Sequence, residues 1–266
     1  MMLPITRRQL LALPLGLLLL PRPAAAEGLI RRNFSYRAEM GVLFDLLTFH
    51  VTGSVVEEID HGVGRYRVVL MGEGTGITYR SESIGMIRSG RFLPMAAWGS
   101  GTVRGREHRS STKYDHEHGT IEVHWFGHTL ILGRVRQVDD VLKMPAGQSI
   151  DDLASAILNF AAGQLEADAQ GYHRTVVVRR AKADNEGPDE VSASGYRAEL
   201  VPLRFRAARD NATGRLSAAI DITRFSSWAR ANQPAHVTFD ESRHLESVKS
   251  ALMLGSSVSI RLTSVS

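Results

Sequence analysis

The sequence contains no cysteine among its 266 residues. This absence excludes a disulfide framework, a thiol nucleophile, thiolate metal ligands and a lipid anchor on an amino-terminal cysteine. A chain of this length can bury enough apolar surface to fold without crosslinks. We therefore expect a fold that is stabilised by its hydrophobic core alone, and no chemistry that depends on a thiol.

Long hydrophobic runs are also lacking. The longest extends from Leu10 to Leu20, whereas a helix that crosses a bilayer needs about twenty apolar residues. Arg7 and Arg8 precede this run, and three alanines that end at Ala26 follow it. Paired basic residues, a short apolar segment and a small-residue cleavage site are typical of an export signal. We expect cleavage near Ala26 and a mature protein without a transmembrane segment.

The type of export signal is indicated by the paired arginines. The stretch TRRQLL, residues 6–11, is similar to a twin-arginine signal, which directs folded bacterial proteins to export. Arg22, just after the apolar run, fits the same type of signal. The alternative is an ordinary secretory signal that carries two arginines. Either signal, residues 1–26, predicts that the mature chain, residues 27–266, functions in the periplasm.

A strong excess of positive charge is a third feature that the mature chain lacks. The whole sequence has 32 Lys and Arg against 28 Asp and Glu, and removing Arg7, Arg8 and Arg22 from the 32 leaves 29. Nucleic-acid binding depends mainly on clustered basic side chains that meet phosphates. The nearly neutral mature chain therefore argues against a nucleic-acid partner.

The pattern beyond residue 27 is mostly an alternation of polar and apolar residues, which is typical of β-strands. Glycines recur at short intervals, as hairpin turns and bulges require. Short connections favour antiparallel pairing. The pattern predicts about eleven strands, over residues 43–56, 65–71, 77–87, 91–98, 102–114, 120–126, 172–180, 191–206, 216–222, 236–239 and 256–262.

One segment has helical spacing instead. In SIDDLASAILNFAAGQLEA, which starts at Ser149, apolar residues recur every three or four positions. Ser149 is a candidate N-cap, and Asp151 and Asp152 suit the positive end of the helix dipole. Gly163 is a candidate for the end of the helix. The apolar stripe of this helix must be buried, and the sheet is its available partner.

These elements predict a mainly β protein of one domain. We expect a large curved antiparallel sheet, open or a half-barrel, that wraps the single amphipathic helix. A second, shorter helix is predicted over residues 223–231. The polar, turn-rich segment 183–189 (ADNEGPD) is predicted to be an exposed loop.

Six short motifs follow one another along the chain: YRAEMG (36–41), RYRVVLMGEGTGITY (65–79), IRSGRFLP (87–94), YDHEHGTIEV (114–123), QSIDDLASAIL (148–158) and QPAHVTF (233–239). Their order resembles the bacterial exported family called domain of unknown function 3108, over nearly the whole mature chain. The resemblance implies a β-rich envelope protein whose curved sheet wraps a helix, similar in outline to lipoprotein-carrier half-barrels. Around Trp228 the chain departs from the tighter Trp, Asp, Arg, Pro pattern of that family. The family has no established catalytic residues to carry over.

Four of the ten histidines lie between Lys113 and His128. A three-residue hairpin loop, residues 117–119, would place His116 opposite Thr120. This register would put the apolar side chains of the second strand on a buried face and the histidines on the other face. The apolar side chains are Ile121, Val123 and Trp125.

These histidines are too widely spaced on the predicted strands to share a metal ion. His116 and His124 would be about 13 Å apart, whereas zinc ligands lie about 2.0 to 2.3 Å from the metal. His128 lies four positions further along the chain. His116 and His118 at the loop tip are the remaining alternative. We expect no metal site and no cofactor.

Other motifs give no catalytic residues. The stretch around Ser100 (WGSG) lacks the spacing of a G-x-S-x-G nucleophile elbow. Residues 72–76 (GEGTG) precede a predicted strand, whereas phosphate-binding loops open a helix. Adjacent acids such as Glu57 and Glu58 point to opposite faces of a strand, so they are poor joint catalysts.

A sheet of this size presents more apolar surface than one helix covers, which favours a ligand site in the concavity. We therefore predict a non-enzymatic periplasmic protein that binds an amphiphile or another envelope component. The alternatives are an envelope scaffold or assembly partner, and an enzyme that acts on glycan or binds metal with the His116 and His118 hairpin. The candidate lining residues are Leu43, Phe44, Leu46, Phe49, Val69, Met71, Met86, Trp98, Trp125 and Ile131.

Arginines also recur on predicted outward faces of strands. Arg204, for example, lies between Leu203 and Phe205, which should point inward. Such arginines form either a solvated sheet face or a docking surface for anionic lipid headgroups or polysaccharide, since guanidinium pairs well with phosphate and carboxylate. The candidates are Arg104, Arg106, Arg109, Arg204 and Arg206.

Overall fold

The structure is a computed structural model that describes residues 28–265, except positions 43, 45, 130, 182–185, 188, 193–194, 210–212, 226–228, 230–231 and 254. The predicted export signal, Leu43 and Trp228 lie outside the described residues. Within the described part of the chain, no helix is long and apolar enough to cross a membrane.

The described residues form fifteen strands and one helix. In chain order these are β1 (Ile30–Val42), β2 (Leu47–Asp60), β3 (Arg65–Gly74), β4 (Ile77–Arg88), β5 (Arg91–Val103), β6 (Arg106–Asp115), β7 (Thr120–His128), β8 (Val135–Lys143), β9 (Ile150–Asp151), α1 (Leu153–Ala161), β10 (Tyr172–Arg180), β11 (Ala198–Arg209), β12 (Leu216–Ile220), β13 (Ala235–Phe239), β14 (Leu245–Ala251) and β15 (Ser257–Val265).

All fifteen strands belong to one sheet, in the order β8-β7-β6-β5-β4-β3-β2-β1-β15-β14-β13-β12-β11-β10-β9. Strand β1 pairs with both β2 and β15, which joins the two halves of the chain side by side. The pairing is antiparallel throughout except between β9 and β10. The prediction of a large open antiparallel sheet that wraps one helix is confirmed.

The predicted number of strands was too low. Strands β1, β8, β9 and β14 are additional, and β8 and β14 carry many polar residues that hide their alternation. The predicted strand over residues 102–114 covers the end of β5, a turn and most of β6. Arg104 and Gly105 adopt φ angles of 52° and 75° between them, and this left-handed conformation makes the turn from β5 to β6.

The helix begins three residues later than predicted. Asp152 is the N-cap, and its Oδ1 accepts from the backbone N–H of Ser155 at 2.7 Å while Ser155 Oγ accepts from the Asp152 N–H at 3.0 Å. This reciprocal capping box satisfies two backbone donors. The preceding residues, Ile150 and Asp151, pair with β10 as a strand instead. Gly163, with φ 73°, follows the C-cap and confirms the predicted end.

The second predicted helix is not formed in the described residues of that segment. Residues 223–225 form a turn, in which the Phe225 N–H donates to the Ile222 carbonyl at 2.9 Å. Ala229 makes an isolated bridge to Leu252. The other residues of the predicted helix lie outside the described residues.

Helix α1 packs on the concave face of the sheet. Phe160 stacks on Phe205 at a centroid distance of 4.7 Å and meets Phe239 at 5.6 Å. All three phenylalanines are buried, and full burial of one such side chain contributes roughly 1.5 to 3 kcal/mol. This cluster attaches one side of the helix to strands β10 to β14.

The two ends of the sheet meet by side-chain packing. Val177 and Val201 of β10 and β11 pack with the helix. Ile150 and Ala198 pack instead with Val138 and other apolar residues of β6 to β8. The β9 to β11 end is therefore covered on both faces, and the overlap keeps the sheet curved around α1.

We call this contact between β9 to β11 and β6 to β8 the seam, and an ion-pair cluster reinforces it. Glu186 Oε1 lies 3.2 Å from Arg136 Nη2 of β8 and 2.7 Å from Arg180 Nη2 of β10. Arg180 also lies over the Tyr196 ring, 4.3 Å from its centroid. The predicted exposed loop over residues 183–189 is wrong at Glu186, which is buried. Two guanidinium groups on opposite ends of the sheet hold its carboxylate in the interior.

We expect the Gly85→Ala substitution to lower the free energy of unfolding by about 1 to 3 kcal/mol, because there is no room for a side chain at this position. The buried Tyr66 ring lies directly over Gly85, so a β-carbon there would overlap that ring and the Leu93 carbonyl. Urea-induced unfolding measures the effect. The control is Gly99→Ala, whose β-carbon would meet chiefly the rotatable Ser110 hydroxyl at 3.0 Å. Equal losses in both variants would contradict this explanation.

Candidate functional site: a cavity between the helix and the sheet

A cavity of ≈ 440 Å³ lies between α1 and the concave face of the sheet. This volume is within the range of small-molecule sites, about 300 to 1,000 Å³. Strands from both halves of the sheet contribute to its walls together with the helix. The aliphatic lining residues are Val55, Val68, Leu70, Ala97, Leu153, Ala154, Ile157, Leu158, Val178, Leu245, Val248, Ile260 and Leu262.

The cavity exists because α1 is short and is attached on one side. Its nine residues span about 13 Å, which covers only part of the fifteen-stranded sheet. Phe160 and Ala156 are buried against strands, whereas Leu153, Ala154, Ile157 and Leu158 border the cavity. Leu153 is 59% exposed although it is apolar. The free side of the helix thus presents hydrophobic surface to an unfilled volume.

Small side chains on the sheet keep this volume open. The concave face of β4, β5 and β6 carries serine, threonine, alanine and glycine at the cavity. Cross-strand pairing places Ser83, Ala97 and Thr112 in one row and Ser81, Gly99 and Ser110 in the next. Larger residues in these two rows would fill the space beneath α1.

A polar group of the cavity surrounds the start of α1. Asp152 Oδ2 accepts from Ser83 Oγ at 2.5 Å, and Ser83 Oγ lies 3.4 Å from the Tyr66 hydroxyl. Burial raises the pKa of Tyr66 and the pKa of Tyr114 above the ordinary value. Both phenols therefore stay protonated and act as neutral hydrogen-bonding groups.

Asp151 fixes the helix to the sheet. The prediction that it interacts with the helix dipole is wrong. Asp151 is fully buried, and it accepts from Arg91 Nη2 at 2.8 Å, from Asn159 Nδ2 at 3.2 Å and from the Thr175 hydroxyl. Burial raises the pKa of Asp151, although these three donors favour its charged form. Asn159 also exchanges two hydrogen bonds of 2.8 Å with the backbone of Phe92. Strands β5, β9 and β10 are thereby joined to α1.

Glu57 is an acidic residue of the cavity wall for which the sequence predicted no role in ligand binding. Its Oε2 atom is buried and has no hydrogen-bond partner among the described residues. Burial raises the pKa of Glu57; nearby His244 and Arg32 oppose this shift, and Asp240 adds to it. Glu58, on the opposite face as predicted, pairs with Arg67 at 3.1 Å.

The predicted lining residues mostly lie elsewhere. Trp98 lies at the cavity wall, but it alternates with Ala97 and Gly99 on β5, so its side chain points to the convex face, where it is 44% exposed. Val69 and Met71 alternate with Val68 and Leu70, which do line it, so they point to the convex face. Four successive residues of β3 are apolar (VVLM, residues 68–71), so alternation could not decide which of them point inward.

The other predicted lining residues are distributed over turns and strands outside the cavity. Phe44 and Leu46 lie in the turn before β2 and are 75% and 81% exposed. Phe49 and Met86 are partly exposed residues of β2 and β4. Trp125 packs in the seam between the sheet ends. Ile131 is exposed in the loop after β7, where Asp189 accepts from its backbone N–H at 3.1 Å.

The histidine hairpin has a register one residue away from the predicted one. Asp115 pairs with Thr120 and Ser111 with His124, so the loop has four residues, 116–119. Ile121 and Val123 are nevertheless buried, as predicted. The four-residue loop arises because Asp115 accepts from the backbone N–H groups of Glu117 and His118 at 3.0 and 2.9 Å.

Each histidine of this hairpin has its own polar partner. His116 Nε2 donates to the Pro94 carbonyl at 2.7 Å, and His118 Nδ1 lies 2.8 Å from Asp115 Oδ2. His124 lies 2.6 Å from Asp139, and His128 lies 3.0 Å from the Glu107 carbonyl. Across the described ranges, no group of three or more His, Asp or Glu side chains is placed to hold a metal ion.

The candidate arginines form two separate groups. Arg204 and Arg206 are exposed on β11, whereas the other three belong to the β5–β6 hairpin. There Arg104 is exposed in the turn, and Arg109 lies over the Phe126 ring at 5.3 Å. Arg106 donates to the carbonyl groups of Thr129 and Ile131 at 3.1 and 3.4 Å, so it supports the loop after β7. A role in binding anions stays a prediction.

The fold and the cavity define the chain as a curved β-sheet protein with an internal ligand-sized volume. No protein-family model matches the sequence, and no curated protein matches it significantly. Among solved structures it is similar to a beta-barrel-like protein of domain of unknown function DUF1849 from Brucella abortus. The TM-score is 0.42 and the sequence identity is 11%, and the match covers 89% of this chain and 97% of that chain. A similarity at this level assigns no function, and the resemblance to domain of unknown function 3108 stays a prediction.

Proposed function

We propose that the protein is a non-enzymatic binding protein that takes up a small amphiphile in the cavity between α1 and the sheet. The observation that carries this proposal is the unfilled apolar volume of ≈ 440 Å³. Apolar walls with a few polar groups are the common form of small-molecule sites. Burial of an apolar ligand would gain roughly 25 cal/mol per Å² of apolar surface.

The distribution of polar groups favours an amphiphile over a fully polar ligand. The free side of α1 offers Ile157 and Leu158, and the facing strands offer Val248 and Ile260. Polar groups lie in other parts of the wall: at Glu57, around the start of α1, and in the serine and threonine rows of β4 to β6. A ligand with an apolar body and a polar end would match both kinds of surface.

We also place this activity in the periplasm. The support is the order of paired arginines, an apolar run and alanines in residues 1–26. Proteins that hold amphiphiles are useful in that compartment, because an apolar tail exposed to water between two membranes is costly. Fractionation of cells that express the full chain tests the location, and retention in the cytoplasm would contradict it.

The cavity is tested with the Ala97→Leu substitution. Ala97 faces the cavity, so leucine would occupy ligand space, and we expect affinity for decanol to fall about tenfold or more, which corresponds to about 1.4 kcal/mol. Displacement of a fluorescent anilinonaphthalene sulfonate probe measures it. The matched control is Ala96→Leu, the adjacent residue, which points to the convex face and should change affinity less than about twofold.

Mass spectrometry of the native protein purified from its cell envelope provides the second measurement. We expect a co-purified amphiphile in the wild type and in Ala96→Leu, and less of it in Ala97→Leu. Similar ligand content and similar affinity in all three proteins would contradict binding in this cavity. Thermal unfolding of each variant establishes that Ala97→Leu remains folded.

A further inference from the structure

Glu57 differs from the other acidic side chains around the cavity because its buried oxygen is not satisfied. Its Oε2 has no hydrogen-bond partner among the described residues. Asp151 accepts from three side chains, and Asp152 accepts from Ser83 and from the Ser155 backbone. On the convex face Glu82 pairs with Arg67 at 2.7 Å. Glu57 thus has an acceptor in the wall that the fold itself does not use.

An unsatisfied buried carboxylate is unfavourable for folding. Transfer of a charged group from water into an apolar site is costly unless it gains a partner. Burial correspondingly raises the pKa of Glu57. Arg32 on β1 and His244 before β14 reduce the cost through their charge, and Asp240 increases it. Arg32 is the cross-strand neighbour of Glu57 in the β1–β2 pair, yet no described residue donates a hydrogen bond to Oε2. That acceptor is left for a ligand.

The surroundings of Glu57 connect this acceptor to the apolar part of the cavity. Val55 lies two residues before it on the same face of β2, and Val68 is its cross-strand partner on β3. Leu245 and Val248 of β14 also line the cavity. A molecule with one donor group and an apolar tail could contact Glu57 and these side chains together.

We propose that Glu57 selects the head group of the ligand: its carboxylate accepts from a hydrogen-bond donor, and a primary ammonium group is the preferred form. This inference rests on the proposed function of the cavity. A primary ammonium supplies three donors and the opposite charge, which gives the stronger, charge-assisted type of hydrogen bond. At Oε2 itself a carboxylate head group has no proton to donate and meets the like charge of Glu57, and a quaternary ammonium has no donor for that oxygen.

The test compares four probes that share a decyl tail: decylamine, decanol, decanoate and decyl trimethylammonium. Isothermal titration calorimetry with the full mature chain gives their affinities. We expect wild type to bind decylamine about tenfold or more tightly than the other three. Glu57→Gln should lose this preference by about tenfold while its affinity for decanol changes less than about threefold. Glu58→Gln, on the convex face, should retain the wild-type preference.

The outcomes separate this inference from the function on which it rests. If no probe binds wild type, the cavity proposal itself fails. If the probes bind but decylamine has no advantage, or decanoate is preferred, or Glu57→Gln keeps the preference, the role of Glu57 is overturned and the cavity proposal stands. Glu57→Leu serves as a second variant, because leucine suits the apolar wall, and it should show the same loss of preference.

Discussion

Replacing Asp151 by alanine is expected to lower the free energy of unfolding by about 3 to 5 kcal/mol, the cost of breaking a buried ion pair by removing one partner. Asp151 is fully buried, and Arg91, Thr175 and Asn159 all donate to it. The substitution would leave these donors without their acceptor beneath the helix. Urea-induced unfolding, followed by circular dichroism, measures the change.

The control for this variant is Asp139→Ala. The Asp139 side chain is 67% exposed and pairs with His124 at 2.6 Å. Exposed ion pairs contribute only about 0 to 1 kcal/mol, so the control should unfold close to wild type. A loss below about 1 kcal/mol for Asp151→Ala would show that the buried donors find other partners, and it would contradict the role of Asp151 as the anchor of α1.

Replacing Glu186 by alanine is expected to have an effect of similar size, about 3 to 5 kcal/mol. The substitution removes the carboxylate that lies between Arg136 of β8 and Arg180 of β10, whose side chains are only 9% and 15% exposed. The seam between the sheet ends should therefore open more often. Compared with wild type, the variant should show faster hydrogen exchange in β8, measured by mass spectrometry, and little change in β1 to β3.

The comparison for this variant is Glu122→Ala. Glu122 lies 3.9 Å from Lys113, and both side chains are largely exposed, so its removal should change stability by less than about 1 kcal/mol. Faster exchange spread evenly over all strands would contradict a local role of Glu186. Unchanged exchange in β8 would show that the apolar packing of Val138 and Ile150 holds the seam alone.

Both clusters matter for ligand binding because they determine the shape of the cavity. Asp151 holds the start of α1, whose Leu153 and Ala154 border the cavity. Glu186 holds β8 and β10 together, and Val178 of β10 lies in the same wall. The cavity is therefore a consequence of how the sheet ends and the helix are attached, and not of any single local motif.

The main class of the fold followed from local patterns. Alternation predicted an antiparallel sheet, and the spacing of Ile157 and Leu158 with Gly163 beyond them predicted the helix and its end. The same patterns gave the wrong start of the helix, because Ile150 and Asp151 fit helical spacing equally well. Their pairing with β10 involves residues more than twenty positions away, which no local window contains.

The candidate site was less predictable than the fold. Glu57 carried no motif, and only the positions of β1, β3 and the segment before β14 show that its oxygen is buried without a hydrogen-bond partner among the described residues. Glu186 belonged to a stretch whose composition indicated an exposed loop. Its burial depends on Arg136 and Arg180, which the sheet brings together from two different strands.

The sequence by itself determined a β-rich chain with one amphipathic helix, without thiol chemistry and with an amino-terminal segment typical of an export signal, because composition and periodicity are properties of neighbouring residues. The tertiary structure decided which alternate side chains of each strand face the concave side of the sheet, how the sheet ends overlap, and where an apolar volume stays unfilled. These features depend on packing between residues that are far apart in the chain. The cavity and its open acceptor at Glu57 are therefore properties of the folded sheet.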